Sequence, residues 1–167
     1  MTLIRRFRDL LPIALIAALP LPAIAQARVS LGAGGGLAGS TESSLSDGRG
    51  APAFMISVTK SVLPLVGLGL EVNDWRHSGS NVAFATGHVL LHLPVLPLFV
   101  KVGAGVGTGD PDGRGSATGA AVQFGGGYDL TLPLAPVALT IFGNALLSYS
   151  SSRSVQMVDL GLALTLK

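Results

Sequence analysis

Three groups of side chains in this sequence have the types and spacing to do chemistry. The segment "DWRHSGSN", residues 74–81, brings Asp74, His77, Ser78 and Ser80 close together in sequence. Those are the members of a nucleophile–base–acid set, which works only when they hydrogen-bond to one another beside an oxyanion hole. The same residues are also ordinary chemistry for a polar turn. The second group is the run Gly103, Gly105, Gly107 and Gly109, which invites comparison with a phosphate-cradling loop. A dinucleotide fingerprint would need a third glycine where Thr108 or Asp110 stands, and a P-loop needs Gly-Lys followed by Ser or Thr, a triplet this chain lacks. The turn signal "DPDG" follows the glycines, where a nucleotide loop would open a helix. Their period is two, the period of a strand. The third group is Lys101, the single charge among those glycines, together with His77, His88 and His92. A three-histidine metal site is not expected, because these histidines fall at different heights. With no cysteine in the chain, thiolate metal sites are excluded.

The elements that must position these residues follow from composition. The chain has 167 residues, a one-domain length, with 49% hydrophobic and 12% charged residues. Soluble domains carry about 25% charged residues, so this surface is short of charge, and mean hydropathy is +0.59. Beyond the N-terminal segment no run reaches the roughly 20 apolar residues of a spanning helix. Within a bilayer the remaining solution is a closed barrel, in which every backbone group has a partner.

The N-terminal "MTLIRRFRDLLPIALIAALPLPAIAQA" combines basic residues (Arg5, Arg6, Arg8), an apolar core and small residues at "AIA" and "AQA". It reads as a secretory signal peptide over residues 1–27, cleaved after Ala25 or Ala27. Pro12, Pro20 and Pro22 disfavour a stable anchor helix. From Arg28 onward, eight Lys and Arg residues face eight Asp and Glu residues, so the mature chain is neutral. The overall pI of 9.4 is therefore largely a property of the signal segment. No basic patch is left for nucleic acid.

The mature chain alternates two kinds of break. Polar, glycine-bearing segments lie at 39–50, 74–81, 107–118 and 148–154; short apolar segments with proline lie at 61–65, 93–98 and 132–136. Proline confined to the breaks suits paired strands between them. Eight strands are expected, near 28–38, 51–61, 65–75, 82–93, 97–107, 118–131, 136–148 and 155–167. Four long polar loops on one side and three tight turns on the other describe a small transmembrane barrel, with both termini on the turn side. Within strands the pleat separates Val66, Leu68, Leu70 and Val72 from Gly67, Gly69, Glu71 and Asn73. Likewise Leu98, Val100, Val102, Ala104 and Val106 oppose Phe99, Lys101, Gly103, Gly105 and Gly107. The non-apolar face is mostly glycine and alanine, too poor in charge to meet bulk water. That favours lipid outside and a narrow, small-residue lumen inside.

As a set, "LPVLPLFVKVGAGVG", "AAVQFGGGYDLTLPLAPVALT" and "VDLGLALTLK" make the mature chain resemble the small OmpA/OmpX-like outer-membrane β-barrels of Gram-negative bacteria. The resemblance implies an all-β, eight-stranded antiparallel up-and-down barrel over residues 28–167, in the outer membrane, with periplasmic termini. It also implies outer-membrane lipid, lipopolysaccharide and the barrel-assembly machinery as partners, possible surface ligands at the four polar loops, and a monomer. Two departures stand out: the chain ends Leu166–Lys167 where such barrels usually end in an aromatic, and aromatics make up only 5%. Trp75 and Tyr149 are expected at the outer interface and Tyr128 at the inner one.

Inside the barrel, strand pairing predicts a polar belt of Glu71, His88, Lys101, Gln123, Asn144 and Asp159. Lys101 should lie near Gln123 and His88, Gln123 near Asn144, and Asn144 near Asp159, with Glu71 or Asp159 as the partner of the lysine. His92 is expected as an interface or core histidine. A structural belt in a filled lumen, with no reaction and no cofactor, is the leading expectation, because an eight-stranded barrel is just wide enough for side chains. A narrow channel or solute site, a lipid-A-modifying enzyme built on residues 74–81, and a soluble secreted barrel with an apolar ligand are the alternatives.

Overall fold

In the computed structural model, residues 27–40, 49–113, 115–131, 136–151 and 153–166 are described. Residues 1–26 of the expected signal segment lie outside them, as does Lys167. Eight strands run in order: β1 (Ala27–Ser40), β2 (Arg49–Leu63), β3 (Val66–His77), β4 (Ser80–His92), β5 (Leu98–Asp110), β6 (Ala117–Thr131), β7 (Val137–Tyr149) and β8 (Val155–Leu166). Each pairs antiparallel with its neighbours, and β1 pairs with β8, from Val29 opposite Leu166 to Ser40 opposite Val155. The sheet is a closed barrel without edges, so every strand finds its hydrogen-bond partners within the fold.

The register keeps the sequence pattern on its expected faces. Val66, Leu68, Leu70 and Val72 point outward with Val100, Val102 and Val106, while Glu71, Asn73 and Lys101 are buried inside. A shift of one residue would have exchanged the two faces. Strands alternate between a loop end, where β1 meets β2 and β3 meets β4, and a turn end, which holds both described termini.

One expected long loop is a tight turn. The composition of residues 74–81 predicts a polar loop, but β3 runs to His77 and β4 starts at Ser80, leaving only Ser78 and Gly79 between them. Gly79 has φ +83°, a conformation that costs glycine little and other residues considerably more.

Candidate functional site: the barrel lumen

The inward face of the strands is arranged in layers. At the turn end, Arg28 of β1 donates to both carboxylate oxygens of Asp129 on β6, at 2.6 and 2.7 Å. It also donates to Thr140 Oγ1 (3.3 Å) and His92 Nε2 (3.3 Å), and its guanidinium lies 5.1 Å from the centre of the Phe99 ring. Thr140 donates to Asp129, and Thr140, Thr165 and Ser30 continue the chain of hydroxyls around the β7–β8–β1 seam. His92 is therefore a half-buried histidine at the lumen mouth, tilted against Phe99.

Phe142 stands between Thr140 and Asn144 on the inward face of β7, and it forms a small apolar cluster with Met55 and Ala163. Above that cluster lies the polar belt. Lys101 Nζ donates to Glu71 Oε1 and Oε2 at 2.7 and 2.5 Å, with both side chains almost wholly buried. Glu71 also accepts from Gln123 Nε2 (2.5 Å) and Asn73 Nδ2 (2.9 Å). Gln123 accepts from Thr86 Oγ1 (2.5 Å) and reaches Asn144 Oδ1 at 3.4 Å. Asn144 donates to Asp159 Oδ1 (2.9 Å) and to Asn73 Oδ1 (3.3 Å). Hydrogen bonds thus run without interruption from β3 to β8. Burying charge demands this kind of pairing and saturation.

The belt departs from strand-by-strand expectation in two places. Opposite Lys101 on β6 stands Gly125, with Gln123 opposite Gly103; the lysine reaches across the lumen to Glu71 on β3 instead. His88 does not join Lys101. It hydrogen-bonds Thr59 Oγ1 (3.0 Å), and its Nδ1 is buried without a partner. Asn144 and Asp159 are directly opposed across β7 and β8.

Towards the loop end the lumen becomes apolar again. Trp75, Phe84, Val82, Leu146, Val155 and Met157 form a buried cluster with surrounding alanines. Trp75 was expected at the outer interface, but it is 0% exposed and donates from Nε1 to Gly36 O at 3.1 Å. It shares the inward parity of Glu71 and Asn73, and β3 continues past it, so it cannot face lipid. Tyr149 and Tyr128 do point outward, near the loop and turn ends respectively. Over the loop mouth, Arg153 pairs with Asp112 (2.5 Å), and Ser40 donates to the same carboxylate (2.8 Å).

The lumenal glycines serve as seats for large side chains. A Cβ on Gly107 would stand 2.6 Å from the Phe84 ring, and one on Gly32 would stand 2.6 Å from Phe142. At Gly69 it would meet His88 Nε2 at 2.7 Å, and at Gly125 it would meet Lys101 Cε at 2.7 Å. Small residues facing large ones are how a narrow barrel fills its taper.

Residues 74–81 do not assemble a catalytic set. Asp74 points outward and accepts from Arg76 Nε at 2.6 Å. His77 lies on the opposite face of β3 and stacks on Trp75 at 6.0 Å between ring centres. Ser78 occupies the turn.

No family model and no curated protein sequence matches the chain. Solved structures do. Neisserial surface protein A superposes with a TM-score of 0.59 at 13% identity, covering 85% of this chain and 97% of that one. Ail, the attachment invasion locus protein of Yersinia pestis, gives 0.56 at 12% identity, covering 83% and 97%. A structure of Ail with the heparin analogue sucrose octasulfate gives 0.52 at 14%. The chain is thus similar in fold to small eight-stranded outer-membrane β-barrels, nearly end to end.

Proposed function

We propose that this protein is an integral outer-membrane barrel with a structural or surface-interaction role and a mostly filled lumen. The observation that carries the reading is the inversion of the surface. Leu31, Leu70, Val106, Phe124, Leu160 and Leu164 are all more than half exposed, whereas Glu71, Lys101 and Asp159 are buried inside. A water-soluble barrel arranges the two faces the other way round, and an uncovered apolar surface of this extent needs a nonpolar surrounding. The filled lumen draws support from the continuous belt, with apolar clusters above and below it.

The loop end faces the cell exterior in this reading, and the export segment supplies the route. Lipopolysaccharide and the assembly machinery are partners of the barrel wall, and surface ligands meet the loops. Catalysis is not part of the reading, since Asp74 and His77 occupy opposite faces of one strand. The test is membrane fractionation of expressing cells with protease added outside. The protein should sediment with outer membrane, migrate on gels in a heat-modifiable manner, and be cut only in its loops. Recovery in the soluble fraction would overturn the proposal. Planar-bilayer recordings should show no steady conductance; a stable open level would replace the filled lumen with a channel.

A further inference from the structure

The turn end carries an apolar surface that the lumen does not use. Where β2 ends and turns into β3, Val62, Leu63 and Leu65 are exposed around Pro64; between β4 and β5, Leu93 is exposed before Pro94, and Val95 and Leu96 are exposed between Pro94 and Pro97. Neither stretch contains a charge, and the sequence "LPLAP" at 132–136, which leads from β6 to β7, contains none either. Val95 is 101% exposed and has φ +77°. A β-branched residue at positive φ is strained, and none of the described residues covers this side chain in return.

On β3 and β5, the strands that follow these two turns, the outward apolar runs fall short of a lipid band on their own. On β3 the run extends from Val66 to Val72 and stops at Asp74; on β5 it extends from Leu98 to Val106 and stops at Thr108. At about 3.3 Å per residue and a tilt near 40°, these runs cover about 15 and about 20 Å. The lipid-facing band of such barrels is about 25 Å tall. Leu65 extends the β3 run by one residue, with Leu63 of β2 paired beside Val66, and Leu96 extends the β5 run by two residues, about 5 Å at the same rise and tilt. Lys60, outward on β2 near this end, has a long stem by which its ammonium can reach water from within an apolar layer.

We infer that the turns are immersed in the inner leaflet, so that phospholipid chains and their glycerol region are the partner of this surface. The barrel then sits low, with no polar collar at the turn end, and its lipid contact includes Leu63, Leu65, Val95 and Leu96. The inference rests on the membrane-spanning reading and sharpens it.

Because the chain has no cysteine, single cysteines can be placed at will. Leu63→Cys and Val95→Cys test the turns, Val102→Cys marks the mid-strand outward face, and Ser151→Cys marks an exposed position in the loop-end segment between β7 and β8. Each variant carries an environment-sensitive fluorophore in dioleoylphosphatidylcholine vesicles, with quenching by lipids brominated on the acyl chain and by aqueous iodide. The turn labels should show at least half the bromolipid quenching of the Val102 label and under a quarter of the iodide quenching of the Ser151 label. Iodide access equal to that at Ser151, with Val102 quenched by lipid, overturns the inference and leaves the spanning barrel standing. Shielding from both quenchers overturns it in favour of a protein partner. Failure of bromolipid to quench the Val102 label overturns both readings. As a second measurement, Leu63→Asp with Val95→Asp should fold in detergent as the parent does but insert into preformed vesicles at least fivefold more slowly; unchanged insertion overturns the inference.

Discussion

Replacing Lys101 with methionine removes the one cation that Glu71 touches among the described residues. Lys101 and Glu71 are 4% and 2% exposed, so no bulk water can take the place of the ammonium. The carboxylate keeps its hydrogen bonds from Gln123 and Asn73 but loses two from Nζ. Removing one member of a buried ion pair costs about 3–5 kcal/mol, because the remaining charge is left uncompensated. Methionine conserves most of the lysine stem, which lies over Gly125, so the loss is electrostatic and not a cavity effect. Adding Glu71→Gln in the same chain removes the stranded charge and keeps an oxygen acceptor. Replacing both members of such a pair is often close to neutral. The double variant should therefore recover at least about 2 kcal/mol relative to Lys101→Met alone, a coupling typical of direct partners. Urea unfolding in micelles, followed by heat-modifiable mobility and circular dichroism, reads the effect. With a urea slope of about 1–3 kcal/mol/M, the midpoint of Lys101→Met should fall by roughly 1–5 M and return in the double variant. If Lys101→Met shifts the midpoint by less than about 0.3 M, or if the double variant is as unstable as the sum of the singles, the belt is not held by this pair.

Other outcomes follow from the same geometry. Gly107→Ala forces its Cβ against the Phe84 ring and Ser148 and should cost about 1–3 kcal/mol by overpacking. Gly35→Ala, which meets nothing within 4 Å, should stay within about 0.5 kcal/mol of the parent; equal effects at the two sites would refute the seating of rings on glycines. Arg28→Gln keeps a polar group but loses the paired bonds to Asp129 and should destabilise by about 2 kcal/mol in the same urea assay. An unchanged midpoint would refute that pairing. The single tryptophan, Trp75, should emit as a buried indole, insensitive both to iodide and to lipids brominated near the headgroup; strong quenching by those lipids would return it to the interface.

Strand number, order and the side each residue faces were legible because a period of two admits only two assignments per strand, and each run of Val and Leu chooses between them. The composition signal fails where the outward face leaves the apolar band. Asp74, Arg76 and Asn81 are outward polar residues on β3 and β4, so residues 74–81 read as loop although the ladder continues up to the two-residue turn. The same continuation hid Trp75: counting two residues on from Asn73 places it inside. Cross-lumen contacts were harder to read. Ladder pairing identifies neighbours such as Asn144 and Asp159, but Lys101 meets Glu71 from β3, two strands away, and Arg28 meets Asp129 across a separation of 101 residues. Which of two carboxylates takes the lysine depends on strand tilt and side-chain reach, and neither leaves a mark in one sequence.

The glycine run 103–109 shows why residue type alone misleads about chemistry. A phosphate loop uses backbone N–H groups that its own secondary structure leaves free. Here Gly103, Gly105, Gly107 and Gly109 sit within β5, paired on one side with β4 and on the other with β6, so the ladders engage those groups. What the glycines present to the lumen is an absence of side chain. A Cβ on Gly103 would press on Gly87 O and His88 Cβ, one on Gly107 on Phe84, and one on Gly109 on Val82. The row therefore sets how closely β4 can coil against β5 and how far Phe84 can enter the lumen. Two positions before this row, Lys101 lies across Gly125, the residue opposite it on β6. A side chain at 125 would displace the lysine that Glu71 needs, so the chemistry of the charged pair depends on an uncharged, featureless neighbour.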